Sequence, residues 1–384
     1  MSEAVEEVAL HKFERLIKFF KWCILLLNFG YRKGKARFYN YFFPLLFLIS
    51  TCFNVKHVVL TYNSTNRIQA TYTIVFIAVH IQSFGKALMM VINYQDFEEL
   101  FQELKKFYTS TEHQLITDAR NRHNATHIRG ITYGVVSYWI SFWFAEIFLQ
   151  AFIRRLGGIE FPMQYYIPFI SEDSPYFFIV NFLMQNFTFI ASLTVMSLTD
   201  VMVFMVAFQF RSELVCLAEV ISKLDDIEVY KAREGILLDI YRMHHNMLHL
   251  FNVLSNMFFY MSFFQVVSSF EGLCFLFYAF FVHGFDISSP IIIFVVFCQI
   301  FIFCLFGEIL FTKTAALSNA LYHTKWYEFT PHDKRDFVFI LQNAQRPCSI
   351  KAAGIVDVSI YTFVEVLKLS GSYCAIFYAL TNKK

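Results

Sequence analysis

Seven stretches of this chain are apolar for about twenty residues at a time, and they decide its solvent. They lie near 41–61, 70–92, 131–153, 176–206, 252–282, 288–312 and 355–380. An α-helix rises about 1.5 Å per residue, so such a stretch crosses a hydrocarbon core about 30 Å thick. No water is available there to satisfy backbone N–H and C=O groups, so each stretch must be helical. The rest of the chain agrees. Of 384 residues, 57 % are apolar and 50 are phenylalanine, whereas a soluble domain holds about 45–50 % apolar residues. The expected fold is an all-α membrane protein with seven transmembrane helices. The fourth and fifth stretches exceed what a bilayer needs, so they are expected to tilt or to run on into the cytosol.

Basic residues set the orientation. Lys12, Arg15, Lys18, Lys21, Arg32, Lys33, Lys35 and Arg37 precede the first span. Lys105, Lys106, Arg120, Arg122 and Arg129 lie between the second and third spans. The fourth-to-fifth and sixth-to-seventh connections are basic too, and the alternate loops are poor in Lys and Arg. The N-terminus is therefore expected in the cytosol and the C-terminus outside. The charged N-terminus predicts no cleavable leader. Four regions follow: a cytosolic segment 1–40, six helices over 41–312, a cytosolic region 313–354 and a last helix within 355–384. The stretch "HDKRDFVFILQNAQRP" in the third region is amphipathic and predicts a short helix ending before Pro347. The sequon "NST" places a candidate glycan at Asn63 in the first outer loop. Asn124 and Asn186 also begin sequons, but on the cytosolic side and within a span, where no glycan is expected.

The same residues exclude several classes. The net charge of +2 argues against a nucleic-acid partner. None of the eight cysteines, Cys23, Cys52, Cys216, Cys274, Cys298, Cys304, Cys348 and Cys374, forms a CxxC pair. They read as small packing residues, with no disulfide frame, metal site or cofactor expected. No phosphate-binding or metalloprotease motif occurs, and nothing indicates an enzyme. A G-protein-coupled receptor would place its N-terminus outside, and neither its DRY-like triplet nor its NPxxY is present. A transporter would show paired halves, broken helices or midplane acids. The acids available are Glu146, Glu271 and Glu308, read here as carboxyls hydrogen-bonded across helices or facing water.

The last stretch carries Glu365 and Lys368 in its body. They are three residues apart, so they share a helix face and can pair. Further on, Ile376 and Leu380 also share a face, with Ala379 beside them.

The last third of the chain is the most specific part. The Glu of "GEIL" (Glu308), "ALYHTKWY" with Trp326 and Tyr327, "LQNAQRP", and "VSIYTFVEVLKLSGSY" ending at Tyr373 follow one another in order. This pattern resembles the insect odorant receptor family. The resemblance implies a multi-pass protein of the sensory-neuron plasma membrane. It implies an odorant-binding subunit of a tetrameric ligand-gated cation channel, built with a shared co-receptor around a central pore. The seventh helix would line that pore, with Ile376, Ala379 and Leu380 at the gate, where an apolar ring dewets a constriction. The short fourth-to-fifth connection, from about Phe208 to Leu250, lacks the co-receptor's insertion. In "SYCAIFYAL", Ala379 and Leu380 replace the Gln-Phe that ends gustatory receptors. A gustatory-type homomeric channel and a transporter remain the alternatives.

By the same resemblance, a small volatile apolar or aromatic ligand would sit in the outer half of spans two to five. The residues at that depth are Phe76 and His80, then Tyr138, Ser141 and Trp143, then Asn181 and Gln185, then Phe275 and Tyr278. His80 and Ser141 are the polar handles. Trp326 and Tyr327, with the amphipathic helix around Phe337–Leu341, are expected to hold subunits together. The implied partners are the co-receptor, the ligand, membrane lipids and the permeating cations.

Overall fold

A computed structural model describes residues 2–30, 36–62, 67–109, 114–123, 130, 132–134, 136–140, 143, 165–167, 169–171, 173–225, 233–283, 288–346 and 348–381. Helix α1 spans Ser2–Leu26, α2 Phe42–Tyr62, α3 Arg67–Ile92 and α4 Tyr94–Thr109. Then follow α5 (Phe177–Ser222), α6 (Arg233–His283), α7 (Ser288–Tyr322), α8 (Pro331–Ala344) and α9 (Ile360–Thr381). Residues 114–123 are also helical, as are the described residues of the predicted third span. Among the described residues, six helices are long and apolar enough to cross a membrane: α2, α3, α5, α6, α7 and α9.

Cross-helix contacts fix the directions. Asn93 reaches the Met257 carbonyl and Gln82 bonds Gln265, so α3 and α6 are antiparallel. Phe76 meets Phe189 and Lys86 meets Asp200, so α3 and α5 run the same way. Phe270 meets Tyr373 and Phe275 meets Phe377, so α9 ascends beside α6. The bundle thus has a first-loop end, where α2 finishes and α3 begins, and an opposite end. Helices α1, α4 and α8 gather at the opposite end.

Helices α5, α6 and α7 are much longer than a bilayer needs. Beyond their most apolar stretches these helices continue as a bundle at the opposite end. Helices α1 and α4 pack on that bundle with Phe13, Phe20, Phe97, Leu100, Phe101 and Leu104 buried. Lys105 Nζ lies 2.7 Å from Glu14 Oε1 and ties α4 to α1. That ammonium holds the Glu14 carboxyl below its ordinary range. Helix α8 starts as its sequence dictates. Thr330 caps it by accepting from the Asp333 N–H at 3.2 Å, and Pro331 occupies the first turn. Its period then buries Phe337, Ile340, Leu341 and Ala344. Burial lifts the Cys348 thiol just beyond it to about 11, as suits a packing residue.

The "GEIL" motif has a structural reason. A Cβ at Gly307 would overlap the backbone carbonyl of Val358. Beside it, Glu308 Oε2 accepts from the Ile360 N–H at 3.3 Å, at the N-terminus of α9. A carboxylate there meets an orphan donor and the positive end of the helix dipole. Glycine and glutamate together thus dock the start of α9 onto α7. Before it, Lys351–Ala352 and Val356–Asp357 form a small antiparallel hairpin. Three residues join its strands; Ala353 and Gly354 take φ of 48° and 71° at the centre of a turn that the Ile355 N–H closes on the Ala352 carbonyl at 3.0 Å, where a left-handed backbone suits glycine. The last span therefore begins at Ile360, five residues later than the apolar run suggests. Gly307→Ala should be destabilised by about 1–3 kcal/mol or more, because a backbone carbonyl cannot retreat as a side chain can. Size-exclusion yield in detergent measures this. Gly272→Ala is the control, since nothing lies within 4 Å of its Cβ position.

Candidate functional site

The residues singled out from the sequence fall into separate groups. Two lie at the first-loop end of α5. Asn181 Nδ2 donates to the Phe177 carbonyl at 2.8 Å, and its Oδ1 accepts from the Ile167 N–H at 2.8 Å. Gln185 Nε2 donates to the Tyr165 carbonyl at 2.7 Å. Both amides thus hold the segment around residues 165–167 onto the bundle. Tyr165 is itself buried, with its ring 5.6 Å from Phe53.

Phe76 and His80 form a second group on α3. The Phe76 ring meets Phe189 edge to face at 5.8 Å. His80 is fully buried one turn further on, with Nδ1 2.7 Å from the Phe76 carbonyl. Phe275 stacks on Phe377 of α9 at 5.8 Å, and so couples this part of α6 to the last helix. Tyr278 and Trp143 are half-buried helical residues. Ser141 and Asn63 lie outside the described residues.

Tyr138 belongs elsewhere. Its hydroxyl donates to Asp200 Oδ2 at 3.1 Å. Asp200 is fifteen residues beyond Gln185, or about 22 Å along α5, toward the opposite end. Around Asp200 lies a buried cluster that the sequence reading missed. Lys86 Nζ sits 2.6 Å from Oδ1, and Gln299 Nε2 donates to Oδ2 at 3.1 Å. One carboxylate therefore joins α3, the third-span segment, α5 and α7. A void of about 10 Å³ lies beside it, lined in part by Phe204 and Phe306. The signal was present: an Asp and a Lys, each alone in an apolar run, imply each other, because an unpaired charge there is too costly.

The last helix has two unlike faces. Phe363, Val366, Ser370 and Cys374 are buried. Phe363 packs edge to face on Phe297 and Phe301, and Ser370 donates to the Val366 carbonyl. Away from this seam, Tyr361, Lys368, Ser372, Ala375, Ile376, Ala379 and Leu380 are exposed and Glu365 is half-buried. Glu365 and Lys368 pair at 3.0 Å. Of the assembly residues, Trp326 is half-buried against its own core and Tyr327 is exposed. Phe337 is fully buried under Phe329, and its neighbours Val338 and Phe339 face outward.

Comparisons with known proteins follow this geometry. A family model described as 7tm Odorant receptor matches residues 63–371. The chain is 22 % identical over 306 residues to putative odorant receptor 83c of Drosophila melanogaster, covering 74 % of this chain and 76 % of that one. It is 26 % identical over 255 residues to odorant receptor 85b of the same species, covering 63 % and 61 %. The fold is similar to that of the insect olfactory receptor OR5 from Machilis hrabei, solved in complex with eugenol. The TM-score is 0.78 at 16 % identity, covering 96 % of this chain and 99 % of that one. That likeness is one of architecture, and it gives the all-α, seven-helix membrane fold.

Proposed function

This chain belongs to the 7tm odorant receptor family, and from that premise we propose that it is the odorant-binding subunit of a ligand-gated, non-selective cation channel. The observation that carries this reading is the exposed face of α9. Glu365, Lys368 and Ser372 lie on it with the small residues Ala375 and Ala379. A charge facing lipid near the bilayer centre costs about 2.5–3.5 kcal/mol. Water or a neighbouring subunit removes that cost, and a central pore supplies both.

Four subunits, some of them the shared co-receptor, would bring their α9 helices around one axis. Tyr327, Val338 and Phe339 offer an apolar assembly surface at the opposite end of the bundle. The Lys and Arg bias supports a cytosolic N-terminus and an outer C-terminus, in the plasma membrane of a sensory neuron. The ligand is small, volatile and apolar or aromatic. It would enter the seam of α3 and α5 around Phe76 and His80, under the segment held by Asn181 and Gln185.

Recording from cells that express the chain with and without the co-receptor tests this. Currents that require the co-receptor are expected. Robust currents from the chain alone would favour a homomeric channel, and saturable uptake without openings would favour a transporter. Epitope tags on intact cells should stain at the C-terminus and stay silent at the N-terminus.

A further inference from the structure

Helices α3 and α5 touch at two points on either side of His80. One is the edge-to-face contact of Phe76 with Phe189. The other is Ser83, whose Oγ lies 3.5 Å from the Ser192 carbonyl. His80 sits between them, one turn after Phe76 and almost one turn before Ser83. Its Nδ1 is 2.7 Å from the Phe76 carbonyl. A carbonyl oxygen only accepts, so Nδ1 carries the ring proton and Nε2 of the neutral imidazole presents a lone pair. That Nε2 is buried with no hydrogen-bond partner among the described residues.

Ser192 is the second unmet group on this seam. Its Oγ is buried and likewise has no partner among the described residues. Hydroxyls in apolar helices commonly satisfy themselves on the carbonyl one turn back. Ser83, Thr188, Thr194 and Thr199 all do so here. Ser192 does not. Buried polar groups without partners are rare in folded proteins. Each of the two helices carries one of them: Nε2 of His80 requires a donor, and the Ser192 hydroxyl can donate or accept.

Resting on the ligand site proposed above, we infer that this receptor reads a hydroxyl group. Its preferred ligands are small alcohols or phenols that donate to His80 Nε2 and accept from Ser192 Oγ, with the carbon skeleton against Phe76 and Phe189. A ligand hydroxyl both donates and accepts, so it can meet both needs. An ether, ester or ketone can only accept, so it leaves Nε2 buried and empty.

The test is a concentration–response comparison in cells that also express the co-receptor. The probes are a panel of alcohols and phenols with the methyl ether and the ketone of each matched skeleton. Wild type should prefer the hydroxyl compound over its ether by on the order of ten-fold. His80→Phe should bring that ratio to about one while ether potency changes little, and Ser192→Ala should lower it several-fold. A residue needed only for folding would move all compounds together. Ser192→Ala removes one buried oxygen and keeps the test open if His80→Phe is poorly expressed. Currents with no hydroxyl preference in wild type, or a ratio unchanged in Ser192→Ala, would overturn the inference and leave the channel intact. Silence to the whole panel from receptor at the surface would overturn the channel reading with it.

Discussion

Lys86→Met alone, or Asp200→Leu alone, should remove most of the folded receptor, and the double variant should restore it. The pair is 2.6 Å long, and its side chains are only 3 % and 10 % exposed. Removing one partner leaves the other as an uncompensated buried charge, at a cost of about 3–5 kcal/mol. Net stabilities of about 5–15 kcal/mol make that a large share. Loss of Asp200 should be the worse of the two, because Tyr138 and Gln299 also donate to it. Replacing both charges with apolar side chains removes the desolvation penalty together with the attraction. Such replacements are often neutral or stabilising. The measurement is surface biotinylation together with the melting temperature of the detergent-solubilised protein. Lys106→Ala is the control. It breaks the exposed pair with Glu103 at 2.5 Å, and a surface pair contributes at most about 1 kcal/mol. Single variants as stable as that control would mean that water reaches the cluster and solvates whichever charge remains.

The contrast between that cluster and the spans shows what a sequence exposes. Runs such as 41–61 and 70–92 agree with α2 and α3 to within a few residues, because the bilayer imposes one length and one polarity on every helix that crosses it. Pairing is less legible. Lys86 and Asp200 are 114 residues apart, and no local pattern joins them. Helices α1 and α4 were also invisible to a search for apolar runs. Yet Phe97, Leu100, Phe101 and Leu104 recur at the spacing of one helix face, so a search for amphipathic period would have found α4. The candidate pocket was legible only as a depth in the membrane. Depth grouped Tyr138 with Asn181 and Gln185, and Phe275 with Tyr278. Packing then directs Tyr138 to Asp200 and Phe275 to Phe377. Glu308 kept its expected role as a carboxyl bonded across helices, with the Ile360 N–H as its partner.

Cysteine substitution along α9 should show a polar stripe that reaches water and a seam that does not. Helical geometry turns about 100° per residue. Measured from the fully buried Ser370, Tyr361 and Ala379 lie about 180° away, and Lys368 and Ser372 about 160°. Ile376 lies about 60° from Ala379, whereas Leu380 and Tyr378 flank it at about 100° on either side. With Cys374 first replaced, a water-soluble thiol reagent should therefore block current fastest at positions 372, 376 and 379. Reaction should be slower at 378 and 380 and absent at 377, where the Phe275 stack covers the ring. Ile376→Ser and Leu380→Ser should both raise ligand-free current, because a polar side chain wets an apolar constriction. The larger effect is expected at Ile376, which points closer to the axis opposite the seam. Either effect should be partial in a heteromer, since the co-receptor supplies the rest of the ring. If position 377 is modified readily while 376 and 379 stay protected, the pore axis lies on the α6 side of this helix, and its exposed polar stripe meets a neighbouring subunit instead of water.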